Sequence, residues 1–530
     1  MIMKVIIGII FGLLIQSIIV AGNRRFPKDF QWGVGSSSYQ IEGAWDEDGK
    51  GQSIWDYMTH TFPDKIDDKS NGDVACDSYH QWKQDVQMIR NLNVDTYRFS
   101  ISWPRILPNG TVNNFNEKGL RYYSSLIDEL LKYNITPMVT IYHWDLPQRL
   151  QEMGGWTNSE IIPLFKEYAK LLFEFLGDRV KIWTTINEPW HICEHGYGVD
   201  YMAPAYAYPG IPAYLCGHNV LKAHAEVYHM YRKHYLHRQH GKVGITLDTF
   251  WYEPKTHSEN DRKASESALQ FYLGWFGHPI FSKKGNYPEI MIDRIKALSK
   301  EQGFSKSRLP EFTPEEIKFI KGSSDFFGIN HYTTWDVTKN SYNNSGNFPI
   351  PSFNHDMGVI ESINPNLRES GVGWLIFYPK GLYNLLMWIK KEYNNPNVII
   401  TESGVASNQG IEDDERVDYL NLYLEETLNA IEDGANVKGY IVWSLMDSYE
   451  WKTGYQAKFG LYHVDFNDPK RKRTAKRSAK VYSNICKTNA IDWSFHPVVI
   501  SPMARTNGGQ SISVVSLLLV SVSLIFQRFL

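Results

Sequence analysis

The sequence predicts a single (β/α)8 barrel with loop insertions, and three observations predict it. Eight short runs rich in β-branched and aromatic residues alternate with longer segments of helical periodicity. Between residue 26 and about residue 490 no Ser/Gly-rich linker, low-complexity tract or shift in composition marks a domain boundary. At the C-terminal ends of five runs, polar and aromatic side chains stand where a purely structural strand runs into a turn of Gly, Asn or Asp.

The strands are predicted at residues 30–39 (FQWGVGSSSY), 96–103 (TYRFSISW), 137–144 (PMVTIYHW), 180–187 (VKIWTTIN), 243–251 (VGITLDTFW), 326–332 (FFGINHY), 398–402 (VIITE) and 440–446 (YIVWSLM). Between them, stretches such as 117–133, 160–176 and 412–433 space their apolar residues by three and four, as amphipathic helices do. Strands separated by helices imply a parallel sheet, and eight is the number that closes into a barrel. A chain of 530 residues admits several domains or one barrel with insertions, and the missing boundary favours the barrel over residues 23–490.

Composition excludes several classes. With 43% hydrophobic and 14% aromatic residues the chain can bury a large core and is not disordered. A net charge of −3 leaves no electrostatic case for nucleic acid as a partner. Seventeen Trp and 32 Tyr exceed the usual needs of packing, and flat apolar rings stack on sugar faces, although most of these rings are core.

The ends point to the secretory pathway. Residues 1–22 carry Lys4, an apolar run and the small pair Ala21 and Gly22, the pattern of a signal peptide. Residues 511–530 form a hydrophobic tail behind a stalk at 491–510, and Thr506-Asn507-Gly508-Gly509 suits cleavage and glycolipid attachment. The apolar stretch is short for a spanning helix, which needs ~20 residues. A lipid anchor is therefore expected ahead of a tail anchor, and an extracellular or cell-surface protein. Four Cys, at 76, 193, 216 and 486, exclude a disulfide scaffold. An oxidising compartment permits one bridge, of which Cys193 with Cys216 is one pairing that the sequence does not fix. Sequons stand at Asn109, Asn134 and Asn343.

In a barrel, the strand ends Gln40-Ile41-Glu42, His143-Trp144-Asp145, Asn187-Glu188-Pro189, Asn330-His331-Tyr332 and Thr401-Glu402-Ser403 gather on one face. Glu188 ends the fourth strand and Glu402 the seventh, so their carboxyls can face each other across the mouth. A retaining glycosidase needs two carboxyls about 5–5.5 Å apart, one to attack the anomeric carbon and one to protonate the departing oxygen. That chemistry asks for no metal and no cofactor. Arg98, on the second strand, can hold one carboxylate ionised, and the retained charge raises the proton affinity of the other. From strand position alone, each Glu could equally cap a helix or make a salt bridge.

TINEP at 185–189, ITESG at 400–404, FQWGVGSSSYQIEGAW at 30–45, YRFSISWPRILP at 97–108, IYHWDLPQ at 141–148 and KFGLYHVDF at 458–466 occur in collinear order. Together they resemble glycoside hydrolase family 1, the β-glucosidase family. The resemblance implies Glu188 as acid/base and Glu402 as nucleophile. It implies Gln40, His143, Asn187, Glu450 and Trp451 as sugar-hydroxyl contacts and Trp443 as the platform under the ring. Asn330 and Tyr332 are implied to orient the nucleophile, with Arg98 beside it. Ser403 departs from the family's Asn at that place, one residue beyond the nucleophile. Hydroxyl-rich sugars need paired donors and acceptors with an aromatic face, which this set supplies.

Two further signals carry less. His191-Ile192-Cys193-Glu194-His195 matches an inverted zinc-peptidase helix, but it borders the leaving group, so its histidines are expected on the aglycone side. The basic run at 470–480 is expected to be a solvated face leading into the last barrel helix. Two rival functions share the barrel. An inactive sugar-binding receptor would lose a catalytic carboxylate, and both are present. A thioglucosidase in plants replaces the acid/base Glu with Gln, so Glu188 argues for O-glycosides without closing the alternative. The choice among glucose, galactose and fucose, and the aglycone, stay open.

Overall fold

The structure, a computed structural model, describes residues 24–340 and 350–499. The signal peptide, the Asn343 sequon and the hydrophobic tail lie outside the described residues, and so does most of the stalk. Eight strands close into a parallel barrel: β1 (Gln31–Gly35), β2 (Thr96–Ser100), β3 (Thr136–Tyr142), β4 (Ile182–Asn187), β5 (Lys242–Asp248), β6 (Phe327–Asn330), β7 (Val398–Ser403) and β8 (Val437–Trp443). Each pairs with the next in sequence, and β8 returns to β1 with Gln31 opposite Gly439. Gly439 is a close-approach position, because a Cβ there would lie 2.8 Å from the Gln31 carbonyl oxygen.

The predicted helices form where their apolar spacing placed them. Glu117–Lys132 buries Tyr123, Leu126, Ile127 and Leu130 on one face, and Asn116 caps its N-terminus by accepting from the Lys118 amide. Ile161–Leu176 buries Phe165, Tyr168, Ala169, Leu172 and Phe173. Asp414–Glu432 covers the third predicted stretch. The ends of the barrel are tied together: Phe26 N–H donates to the Asn489 carbonyl at 3.1 Å, and Asn489 Nδ2 donates back to the Phe26 carbonyl at 2.8 Å.

Strand boundaries shift from expectation, and three of the shifts change which residues the barrel holds. The run at 30–39 leaves the sheet at Gly35, and Ser38–Ile41 is a single helical turn that carries Gln40 inward. The run at 243–251 is two strands: β5 ends at Asp248, and Trp251–Pro254 pairs outside the barrel with Thr334–Lys339, which in turn pairs with Val359–Ser362. The run at 440–446 is displaced to 437–443 because Gly439, which reads as a turn, lies within the ladder. Among the described residues no helix is long and apolar enough to cross a membrane. Asn134 is exposed before β3, whereas Asn109 is half-buried and accepts from the Thr111 amide at 3.1 Å.

The basic run is a correction. Only part of 470–480 is solvated, since Arg473 is buried against Asp85 at 3.0 Å and Lys476 against Asp447 at 2.6 Å. Burial pushes the Asp447 carboxyl up, but Lys476, His463 and Arg416 together hold it well below the usual carboxylate range. Removing one member of a buried pair strands the other charge. Lys476→Met is therefore expected to destabilise the protein by about 3–5 kcal/mol, read as a lower urea midpoint; an unchanged midpoint would show the pair to be dispensable.

Candidate active site

The strand ends converge as their chemistry suggested, on a cavity of about 450 Å³ at the C-terminal face of the barrel. His143, Glu188, Asn330, Tyr332, Glu402, Trp443, Glu450 and Trp451 line it. Gln40, Arg98 and Asn187 are fully buried beside it. Glu42 and Asp145, grouped with the site by their strand ends, turn away: Glu42 accepts from Arg105 at 2.8 Å and Tyr123 at 2.6 Å, and Asp145 from Ser38 at 3.0 Å.

The two carboxyls occupy opposite electrostatic settings. Glu402 Oε1 accepts from Arg98 Nη1 at 2.5 Å, and its Oε2 accepts from the Tyr332 hydroxyl at 2.7 Å. Arg98 Nη2 also donates to Asn187 Oδ1 at 2.6 Å, so one guanidinium joins β2, β4 and β7. Glu188 has a different neighbourhood. Burial raises its pKa well above the usual value; Asp248 and Glu402 push it further up, against the His191 imidazole and the Asn330 hydrogen bond. Its backbone holds φ at +50°, a conformation uncommon outside glycine, and its amide donates to the Thr246 carbonyl at 2.9 Å. Trp144 and Trp451 share this left-handed region, at φ +78° and +49°.

Asn330 departs from the expected pairing. Its amide nitrogen donates to Glu188 Oε1 at 2.7 Å and to Asn187 Oδ1 at 3.2 Å, and it makes no bond to Glu402. The cause is Thr401, whose hydroxyl donates to Asn330 Oδ1 at 2.7 Å and turns the amide nitrogen toward β4. Ser403 faces away from the cavity, with its hydroxyl 3.2 Å from the Tyr419 hydroxyl. Gly404 next to it tolerates no side chain, because a Cβ would lie 1.9 Å from the Trp443 carbonyl oxygen.

The residues expected to contact the sugar stand on two sides. Gln40 Nε2 donates to Glu450 Oε2 at 3.0 Å and to the Tyr449 carbonyl at 2.8 Å, while Ser37 donates to its Oε1 at 2.7 Å. Burial and the Glu402 charge raise the Glu450 carboxyl to about 8, opposed by the Gln40 bond. The His143 ring lies 5.8 Å from both Trp443 and Trp451, near parallel to each. Its imidazole is held neutral, well below the usual value, by burial and by Arg98.

This barrel and cavity coincide with a known family. The sequence model of glycosyl hydrolase family 1 matches residues 22–491. The chain belongs to glycosyl hydrolase family 1. As a family 1 member it is a glycoside hydrolase. It is 46% identical over 467 residues to Myrosinase 1 of Brevicoryne brassicae, covering 88% of this chain and 99% of that one. It is 40% identical over 475 residues to the cytosolic β-glucosidase of Homo sapiens, covering 88% and 99%. Human lactase/phlorizin hydrolase is 48% identical over 469 residues, 88% of this chain but 24% of that far longer protein. Among solved structures, aphid myrosinase superposes with a TM-score of 0.84 at 46% identity, over 88% of this chain and 100% of that one.

The family 1 cavity is also lined by His191 and His195, the histidines expected on its aglycone side, and by Asp248, which the strand pattern missed. His191 Nδ1 lies 2.8 Å from Asp248 Oδ2 and 3.6 Å from Glu188 Oε2. Burial pulls this imidazole down, but Asp248 and Glu188 carry it up to about 9, so it is an imidazolium beside Glu188. Glu188, His191 and Asp248 offer one ligand atom each within 4.8 Å of one another, but a protonated His191 has no lone pair to give a cation. His195, the second histidine of the zinc-like spacing, is not part of that set. Asp248 escaped notice because the predicted fifth strand ran on to residue 251 and hid its true end. Cys193 is bonded to Cys216 on the helix Pro212–His234, which anchors the segment after Glu188.

Proposed function

We propose that this chain hydrolyses β-linked glucosides or closely related glycosides by double displacement, with Glu402 as nucleophile and Glu188 as acid/base. One observation carries the assignment: Glu402 accepts hydrogen bonds from Arg98 and Tyr332, while Glu188 is buried where its protonated form is favoured. The sugar ring stacks on Trp443, with Gln40, His143, Asn187, Glu450 and Trp451 reading its hydroxyls. Glu402 attacks the anomeric carbon as Glu188 passes its proton to the glycosidic oxygen, which leaves as an alcohol or phenol. Glu188, now a carboxylate, takes a proton from water as that water attacks, and the ester to Glu402 breaks. Tyr332 supports the anion of Glu402, and Asn330 holds Glu188 in line.

The reading is tested with nitrophenyl β-glucoside, galactoside and fucoside, a glucosinolate, and a 2-deoxy-2-fluoro β-glucosyl fluoride. The fluorosugar is expected to leave a covalent adduct on the peptide carrying Glu402, located by mass spectrometry, and the glucoside to be turned over. An adduct on Glu188, or no turnover of any β-glycoside, would overturn it. Thioglucosidase activity is a second reading, supported by the similarity to aphid myrosinase, and the glucosinolate decides it. We also infer a secretory or cell-surface setting from residues 1–22, the hydrophobic tail and the Cys193–Cys216 bond, which suits an oxidising compartment.

A further inference from the structure

The geometry points to a class of aglycone: β-glycosides whose leaving group is aromatic and carries a positive charge, as a protonated or quaternary amine. The inference rests on the β-glycosidase reading and concerns the Glu188 side of the same cavity. There Trp190, Tyr252 and Tyr272 line the wall together with Glu194 and Glu361. Trp190 and Tyr272 have ring centroids 4.6 Å apart, and Tyr252 and Tyr272 5.0 Å, so the three rings form one contiguous aromatic cluster.

Two carboxyl groups stand among these rings without a cationic partner. Glu194 is 4% exposed, and its Oε2 makes no hydrogen bond among the described residues. Glu361 Oε1 is likewise without a hydrogen bond, and its Oε2 accepts only the long Tyr272 bond at 3.3 Å. Burial raises the Glu194 carboxyl to about 8, with Asp356 adding to the effect, and raises Glu361 to about 7 against the Tyr272 bond. The cations that line the cavity are engaged elsewhere: His191 with Asp248, and Lys452 with Asp67. A buried carboxyl is stabilised as an anion by an arriving positive charge, and aromatic faces attract the same charge through their quadrupoles. An anionic aglycone meets neither benefit. It would meet the two unpaired carboxyls, with the unpaired Trp190 indole N–H as a neutral donor beside them, so a sulfated glucosinolate is a poorer fit than a cationic aglycone despite the likeness to aphid myrosinase.

The test uses phenyl β-glucosides with para substituents –CH2CH2NH3+, –CH2CH2OH and –CH2COO−, whose spacers keep the phenols similar as leaving groups. For the unmodified protein, kcat/KM is expected to fall from cation to neutral to anion by on the order of tenfold per step. Benzyltrimethylammonium is expected to inhibit competitively. Glu194→Gln and Glu361→Gln, made singly and together, are expected to bring the cation-to-neutral ratio toward unity. Equal rates for the three substrates, a preference for the anion, or a ratio unmoved in the double variant would overturn the inference while leaving the β-glycosidase reading standing. No turnover of any of the three would overturn that reading, and this inference with it.

Discussion

Glu402→Gln is expected to lower kcat/KM for an aryl β-glucoside by at least about 10⁴-fold, the scale seen when the attacking group of a covalent mechanism is removed. An amide nitrogen or oxygen does not displace a phenolate from an acetal carbon, so no glycosyl-enzyme forms. The substitution preserves shape, yet it takes the counter-charge from Arg98, whose guanidinium is buried between Glu402 and Asn187. A stability loss of roughly 1–3 kcal/mol is therefore expected alongside the lost activity, and circular dichroism with a urea titration separates the two effects. Glu402→Ala gives a sharper reading. With the carboxylate gone, azide can enter the vacated face and displace the leaving group of a β-glucosyl fluoride in a single inversion, giving the α-glucosyl azide. A β-azide from this variant, or activity within tenfold of the unmodified protein, would remove Glu402 from the nucleophile's role.

The elements that sequence reading located share a property, and those it missed lack it. β2, β4 and β7 are short runs of β-branched and aromatic residues between amphipathic helices, so both their existence and their side chains at the mouth follow from local pattern. Arg98, Glu188 and Glu402 are legible because a charged side chain in or at the end of a buried strand stands out against its surroundings. The His191–Asp248 ion pair joins the segment after β4 to the end of β5; the spacing of His191 and His195 marked the first residue, but nothing local marks Asp248 as its partner. Asn330 shows a finer limit: the strand reading puts it at the mouth, but a hydroxyl on the neighbouring strand decides which carboxyl it serves. Lys476 and Arg473 show another. A basic run reads the same whether it faces water or meets Asp447 and Asp85 in the core, because those partners come from distant segments.

Glu188→Gln should separate leaving groups in a way that no loss of folding can mimic. For an alkyl β-glucoside, whose alkoxide leaves poorly, removing the proton donor is expected to cost about 10²–10⁴-fold in kcat/KM. For a dinitrophenyl glucoside, whose phenolate leaves unaided, the first step should survive and the second should limit, so that kcat and KM fall together. The pH profile adds a second axis. Burial, Asp248 and Glu402 raise the Glu188 carboxyl, so in the free enzyme it stays protonated well above the ordinary carboxylate range. Activity that depends on this proton is full below the raised pKa and is lost as pH rises through it, which makes an alkaline limb. In Glu188→Gln that limb should disappear for the dinitrophenyl substrate. His191, held protonated by Asp248, Glu188 and Glu402, and the raised carboxyls of Glu450, Glu194 and Glu361 also titrate toward this region, but they are unchanged in the variant. An alkaline limb that persists unmoved in the variant would transfer the acid's role away from Glu188. Azide completes the contrast with Glu402. In Glu188→Ala the covalent intermediate still forms, and azide attacking it from the leaving-group face gives the β-glucosyl azide, the opposite anomer to that from Glu402→Ala. The two anomers would place each carboxyl on its own face of the sugar, which is what retention requires.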